Sequence, residues 1–288
     1  MLKIAPNTML KSALPLIDIG ANLTNSRFDS DFEDVLSRAQ AAGIRHIVIT
    51  GTNIDESRKA IQIASKTPLL LSTTAGIHPH DAKQLNSESI SHLRDLAKSD
   101  SVKAIGECGL DFNRNFSTQE QQIRAFEQQI ELAIDLRLPL FLHERDAFKE
   151  QWEILSYHRD QLSGAVIHCF TGDKQQAFKY LDLDFYIGIT GWICDERRGL
   201  HLQEFVGDIP LSRLMIESDS PYLTPRKKPK LKLTASGRNE PSTLPYILET
   251  IAKHSSLSED VVARQTTKNA IDFFNLPVSL GFSSSQKN

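Results

Sequence analysis

Short runs of apolar and β-branched residues alternate with longer amphipathic stretches over nearly the whole chain. Runs at Leu16–Asn22, His46–Thr50, Leu69–Ile77, Val102–Leu110, Pro139–His143, Ala165–Phe170, Phe185–Thr190 and Leu214–Asp219 have the length and composition of buried strands. Between them apolar residues recur at three and four spacing, as in Phe32, Val35, Leu36 and Ala39 or Ile123, Phe126, Ile130 and Ala133. That period is the signature of a helix burying one face. Eight strands separated by helices imply parallel pairing, because parallel neighbours need a crossover. An open doubly wound sheet and a (β/α)8 barrel both satisfy such a string. The first strand ends Asp18-Ile19-Gly20-Ala21-Asn22, without the glycine fingerprint of an open-sheet nucleotide binder, and eight units in 288 residues suit the barrel. A (β/α)8 TIM barrel is therefore expected, as a single domain over residues 1–288 with a core of about 16–276. Helices at Pro241–His254 and Ser258–Phe274 should close it, leaving 1–15 and 279–288 as flexible ends.

Composition narrows the function classes. Hydrophobic residues make up 40% and charged residues 24%, which excludes intrinsic disorder as the main state. With 33 basic and 36 acidic residues the net charge is −3, so bulk electrostatic coating of nucleic acid is excluded. No apolar run reaches the roughly 18 residues of a membrane span. Cys108, Cys169 and Cys194 are too few for a disulfide framework and suit a reducing compartment. A cytoplasmic monomer with no membrane partner is expected.

In a (β/α)8 barrel the C-terminal strand ends converge on one face, where catalysis sits. The predicted strands end at Asn22, Thr50, His78 and His80, Glu107, His143, His168, Thr190 or Trp192, and Asp219. Glu107, His143, His168 and Asp219 form a mixed nitrogen and oxygen set suited to Zn²⁺, Mn²⁺ or a similar divalent ion. Each has a plainer reading: a lone histidine can be hydrogen-bonded, Glu107 can pair with an arginine, and Asp219 can cap a helix before Pro221. Four coincidences at corresponding positions favour the metal site.

The motifs Gly76-Ile77-His78-Pro79-His80, Ala104-Ile105-Gly106-Glu107-Cys108-Gly109-Leu110-Asp111, His143-Glu144-Arg145-Asp146, His168-Cys169-Phe170-Thr171-Gly172 and Glu217-Ser218-Asp219-Ser220-Pro221-Tyr222-Leu223 occur in that order. Together they resemble the TatD family of metal-dependent deoxyribonucleases, within the wider amidohydrolase-like metal hydrolases, over about Leu16 to Leu276. The segments Asp111–Thr118 and Ile189–Gly199 look like the founding branch rather than its paralogues. The resemblance implies Glu107, His143 and His168 as metal ligands, with Asp219 completing the site. It also implies a magnesium-dependent 3′-to-5′ exonuclease that prefers single-stranded DNA, accepts RNA and serves DNA repair or degradation. One departure stands out. Where most relatives carry a His-x-His pair on the first strand, this chain has Gly20 and Asn22, so one firm ion is expected and at most a second arriving with substrate.

The chemistry then assigns roles. Glu107, His143 and His168 would hold the ion, and Asp219 would take a proton from water, or else only orient a histidine. His78 and His80, set in direction by Pro79, are candidates to donate to phosphate or to pack against neighbouring loops. Arg114 and Arg145 are candidates for bidentate phosphate contact or for pairing with surface acids. Pro225–Arg238 carries Arg226, Lys227, Lys228, Lys230, Lys232 and Arg238 with no acid, and is expected to guide a nucleic-acid backbone. Trp192 or Phe116 could stack a base. Cys108 and Cys169, beside ligand positions on strands, should point away from the metal. A small-molecule amidohydrolase or esterase on the same site is the alternative, and a noncatalytic binder is a third reading.

Overall fold

The structure, a computed structural model, describes residues 9–67, 69–227, 231, 237–277 and 279. Eight strands form one parallel sheet in chain order: β1 Leu16–Ala21, β2 Ile44–Ile49, β3 Leu71–Ala75, β4 Val102–Asp111, β5 Leu140–Arg145, β6 Ala165–Ile167, β7 Tyr186–Ile189 and β8 Leu214–Ile216. The seam between β8 and β1 is closed by backbone bonds from Asp219 to the Gly20 carbonyl (2.8 Å) and from Asn22 to the Ser220 carbonyl (2.7 Å). At the same seam the Asp18 carboxylate accepts the Ser218 amide at 2.8 Å, where β1 is irregular in register. The expected (β/α)8 barrel is the observed fold.

Among the described residues nine α-helices pack outside the strands: α1 Phe32–Ala41, α2 Ile54–Ala64, α3 Ser89–Leu96, α4 Gln119–Leu136, α5 Phe148–His158, α6 Lys174–Asp182, α7 Leu200–Phe205, α8 Leu244–Ser255 and α9 Glu259–Phe273. Helix α4 starts on a capping box, with Thr118 and Gln121 each satisfying the other's backbone amide. Most of the apolar core lies between helices and sheet. A second cluster joins Ile17, Ile19, Val48, Ala104, Phe141, Val166 and Met215 to Ala270, Phe274 and Leu276. Its strand members come from strands that are not all sheet neighbours, so they meet through the barrel interior. No helix among the described residues is long and apolar enough to cross a membrane.

Three strands end two or more residues earlier than the hydrophobic runs suggest. The stretch to Phe170 stops at Ile167, and the one to Asp219 stops at Ile216, because Cys169 and Asp219 have left-handed backbone (φ 47° and 49°) that breaks the extended run. The third, running to Ile77, ends at Ala75. Residues 9–15, expected within a flexible end, lie against the barrel. Leu10 donates to the Tyr246 hydroxyl, Ser12 to the Ala42 carbonyl, and the Pro15 carbonyl accepts from Thr267. Residues 1–8 and 280–288 are outside the described set.

Candidate metal centre and cleft

The C-terminal strand ends open into a cavity of about 990 Å³, lined among others by Asn22, His78, His80, Glu107, His143, His168 and Asp219. At its floor three imidazoles converge on one carboxylate oxygen. Glu107 Oε1 lies 2.8 Å from His168 Nε2, 3.0 Å from His143 Nδ1 and 3.3 Å from His78 Nε2. The ligand atoms of His78, Glu107 and His143 all fall within 4.8 Å of one another. The structure thus brings together Glu107, His143 and His168 as the strand-end reading expects, and adds His78 to them.

Side chains outside this knot orient it. His168 Nδ1 faces Glu217 Oε2 at 3.2 Å, and His80 Nε2 bonds Asp111 Oδ2 at 2.7 Å. His143 Nε2 lies 3.3 Å from the same Asp111 oxygen, close enough to feel its charge but without a well-formed hydrogen bond. Asp219 reaches Asn22 instead, accepting its amide at 2.9 Å. Three buried glutamines brace the backbone beneath. Gln129 clamps Ile77 through both N–H and C=O, holding the turn that carries His78. Gln122 does the same for Asp111, and Gln151 accepts the Leu110 amide.

Burial and charge act against each other here. Burial pushes the Glu107 carboxyl up, but His168 and His78 outweigh it and hold it well below the usual range. Burial works against a charged His168, yet Glu107 and Glu217 raise its pKa well above the ordinary value. His143 is likewise raised against burial, by Asp111 and Glu107. His78 goes the other way, lowered by burial in spite of Glu107. Asp219 is pushed up to about 7, chiefly by burial, with His168 opposing and Glu107 and Glu217 adding. A carboxylate oxygen has about two lone pairs, fewer than the three nitrogens aimed at it. A divalent cation set among these atoms would draw a lone pair from each of them and displace the imidazole protons, so the donor set fits such an ion.

The rim carries the other candidates. Arg114 lies 5.9 Å from the centroid of Phe116, whose other neighbour is the His80 ring at 4.8 Å. Across the cavity Arg145 donates to Thr171 and lies 5.4 Å from the Trp192 ring, which Arg198 also covers at 4.1 Å. Phe116 and Trp192 both line the cavity. Two expectations are corrected. Cys169 lines the cavity instead of pointing away, because its left-handed backbone breaks the strand alternation. The described cations of Pro225–Arg238 are paired within the protein: Arg226 with Asp195 and Glu196, Lys227 with Glu249, and buried Arg238 with Asp31 and Glu240. Lys228, Lys230 and Lys232 lie outside the described residues.

Reading strand ends one residue at a time overlooked Asp111 and Glu217. Both stand inside the quoted motifs, four after Glu107 and two before Asp219. Strand alternation would have placed them on the same face as those residues.

A parallel barrel with histidines and carboxylates gathered at its C-terminal strand ends has the arrangement of the class of barrel enzymes whose site sits on that face. Within that class, residues 17–275 match the family described as TatD related DNase. The chain is 48% identical over 262 residues to the 3′-5′ ssDNA/RNA exonuclease TatD of Salmonella typhimurium, covering 91% of this chain and 99% of that protein. It is 47% identical over 262 residues to the protein of the same description from Pectobacterium parmentieri, covering 91% and 100%. Among solved structures, the hydrolase TatD family protein of Entamoeba histolytica superposes with a TM-score of 0.82 at 28% identity, covering 94% of this chain and all of that one. A TatD homologue from Escherichia coli gives 0.82 at 25% identity, covering 91% and 98%. The chain belongs to the TatD family of DNases.

Proposed function

We propose that this chain is a metal-dependent nuclease removing nucleotides from the 3′ end of single-stranded DNA, with RNA also accepted. The observation that carries the reading is the convergence of three imidazoles on Glu107 Oε1 at the floor of an open, arginine-rimmed cavity. The polarity and the single-strand preference rest on kinship with the bacterial exonucleases. Glu107, His143 and His168 would hold the ion, with His78 beside Glu107 as a further donor. Mg²⁺ would be the working ion, although Mn²⁺ or Zn²⁺ would bind more tightly through imidazole. Once bound, the ion polarises a phosphoryl oxygen and makes water a stronger nucleophile.

The chain's own groups do the rest. Asp219, held by Asn22 at the cavity floor, accepts the proton of the attacking water. Arg145 is fixed in advance by Thr171 and the Trp192 ring, so its guanidinium meets a phosphate at little entropic cost. Arg114 plays the matching part beside Phe116, and the exposed face of Phe116 takes a base. His80, tied to Asp111, donates toward the leaving oxygen. Two arginines at the cavity favour an anionic phosphodiester over a neutral amide, which would need neither.

The test is a time course on end-labelled single-stranded DNA with Mg²⁺, Mn²⁺ or chelator, run beside Glu107→Ala and Asp219→Asn. Stepwise shortening from the 3′ end, abolished by chelator and by Glu107→Ala, is expected. Asp219→Asn turning over at a near-normal rate with the ion still bound would remove the proton-acceptor role.

A further inference from the structure

We infer that Glu217 is a positioning residue that sets the tautomer of His168, and that Gly20 and Gly188 are glycines because its carboxylate stands between them. The inference rests on the reading above that His168 Nε2 faces the ion. Glu217 follows β8 directly and has no exposed surface. Its Oε1 accepts the Cys169 backbone amide, and its Oε2 lies 3.2 Å from His168 Nδ1. A Cβ built on Gly20 would come closer than 3.0 Å to Oε2, and one on Gly188 closer than 3.0 Å to Oε1. Real Cβ atoms do not approach so closely. The missing side chain at position 20, which breaks the His-x-His pattern, therefore leaves room that the Glu217 carboxylate fills.

The tautomer follows from donor arithmetic. An ionised carboxylate only accepts, so His168 Nδ1 carries a hydrogen toward Oε2. Nε2 faces Glu107 at 2.8 Å and donates to it in the metal-free chain; an ion would displace that hydrogen and leave the neutral Nδ1–H ring with its lone pair on Nε2. The Cys169 amide is a fixed donor, so Oε1 has to remain an acceptor. In Glu217→Gln, which keeps the shape, the amide oxygen goes to Cys169 and the NH₂ faces His168 Nδ1. Nδ1 must then accept, and the ring keeps its one hydrogen on Nε2 toward Glu107, so an ion could take Nε2 only by setting an Nδ1–H against the amide NH₂.

Two measurements on the full chain test this. The first combines Zn²⁺ calorimetry with long-range ¹H–¹⁵N spectra of histidine-labelled protein, for wild type, Glu217→Gln and His168→Ala. Wild type with Zn²⁺ should show the Nδ1–H form of His168. Glu217→Gln should show Nε2–H before metal is added, bind Zn²⁺ about 10–100-fold more weakly, and melt within a degree or two of wild type. Unchanged affinity and tautomer in Glu217→Gln, while His168→Ala loses affinity, would overturn the positioning role alone. Unchanged affinity in His168→Ala would overturn the metal reading and this inference with it. The second measurement is a melting cycle. Gly20→Ala should lower the melting temperature by several degrees beside Glu217 and by much less in a Glu217→Ala background. Equal drops in both backgrounds would contradict the shared-space explanation.

Discussion

The two ends of this barrel are built on opposite principles from the same strands. Its interior holds an apolar cluster in which Ile17, Val48, Phe141, Val166 and Met215 meet Phe274 beyond α9. At the C-terminal mouth the strands lead into Glu107, His143, His168 and Asp219, ionisable groups that burial alone would neutralise. Phe141 marks the border, since its ring stacks on His168 at 4.7 Å while its side chain belongs to the apolar cluster. The difference teaches where stability and chemistry reside. Apolar contact holds the barrel together, and its surplus offsets the cost of keeping charged groups dry at the mouth.

That division can be broken from either side. At the mouth, Glu107→Ala should cut exonuclease turnover by roughly 10⁴-fold while leaving the melting temperature within a few degrees, as read by activity and thermal scans together. A collapse of both would mean that the carboxylate is structural. In the interior, Phe274→Ala should cost about 3–5 kcal/mol in urea unfolding but leave turnover per folded molecule unchanged. A loss of turnover in fully folded protein would blur the two regions.

A smaller effect sharpens the boundary through pH. Asp18 sits fully buried at the β1–β8 seam, its carboxyl pushed up from 3.8 to about 7 by burial, against the Ser218 and Gly20 amides that pull it down. The folded chain then holds more protons than the unfolded one between pH 4 and 7. Stability is greatest below the unfolded value and falls as pH rises through about 7. Asp219, also raised to about 7, contributes in the same direction when no ion is present. In chelated protein, stability should therefore decline from pH 4 to 8 by on the order of a few kcal/mol. Asp18→Asn should make that slope shallower, chiefly between pH 4 and 7, and an unchanged slope would contradict the burial of a proton at the seam. Smallest of all, Arg145→Ala should raise KM about tenfold with little change in kcat, as expected for a group that grips phosphate away from the reacting atoms.

Much of this organisation is legible in the sequence, for identifiable reasons. Strand and helix periods differ, so the eightfold alternation, with no glycine fingerprint after the first strand, reads as a barrel, and a barrel turns scattered strand ends into neighbours. That logic reaches Glu107, His143 and His168 without any local motif. It does not reach Glu217 or Asp111, because the fourth and eighth strand ends were each assigned one residue where the alternation offers two. Cys169 escaped because left-handed backbone at a non-glycine residue has no signature in composition. Arg238 was misread for a different reason: a run of positive charge does not reveal that Asp31 and Glu240, from distant segments, neutralise it.

The most direct test of the mouth as a metal centre is anomalous scattering at the zinc edge from crystals grown with Zn²⁺. One peak should appear, about 2.0–2.2 Å from a Glu107 oxygen, His143 Nδ1 and His168 Nε2. A peak bound elsewhere in the cavity without Glu107, or none at millimolar Zn²⁺, would contradict it.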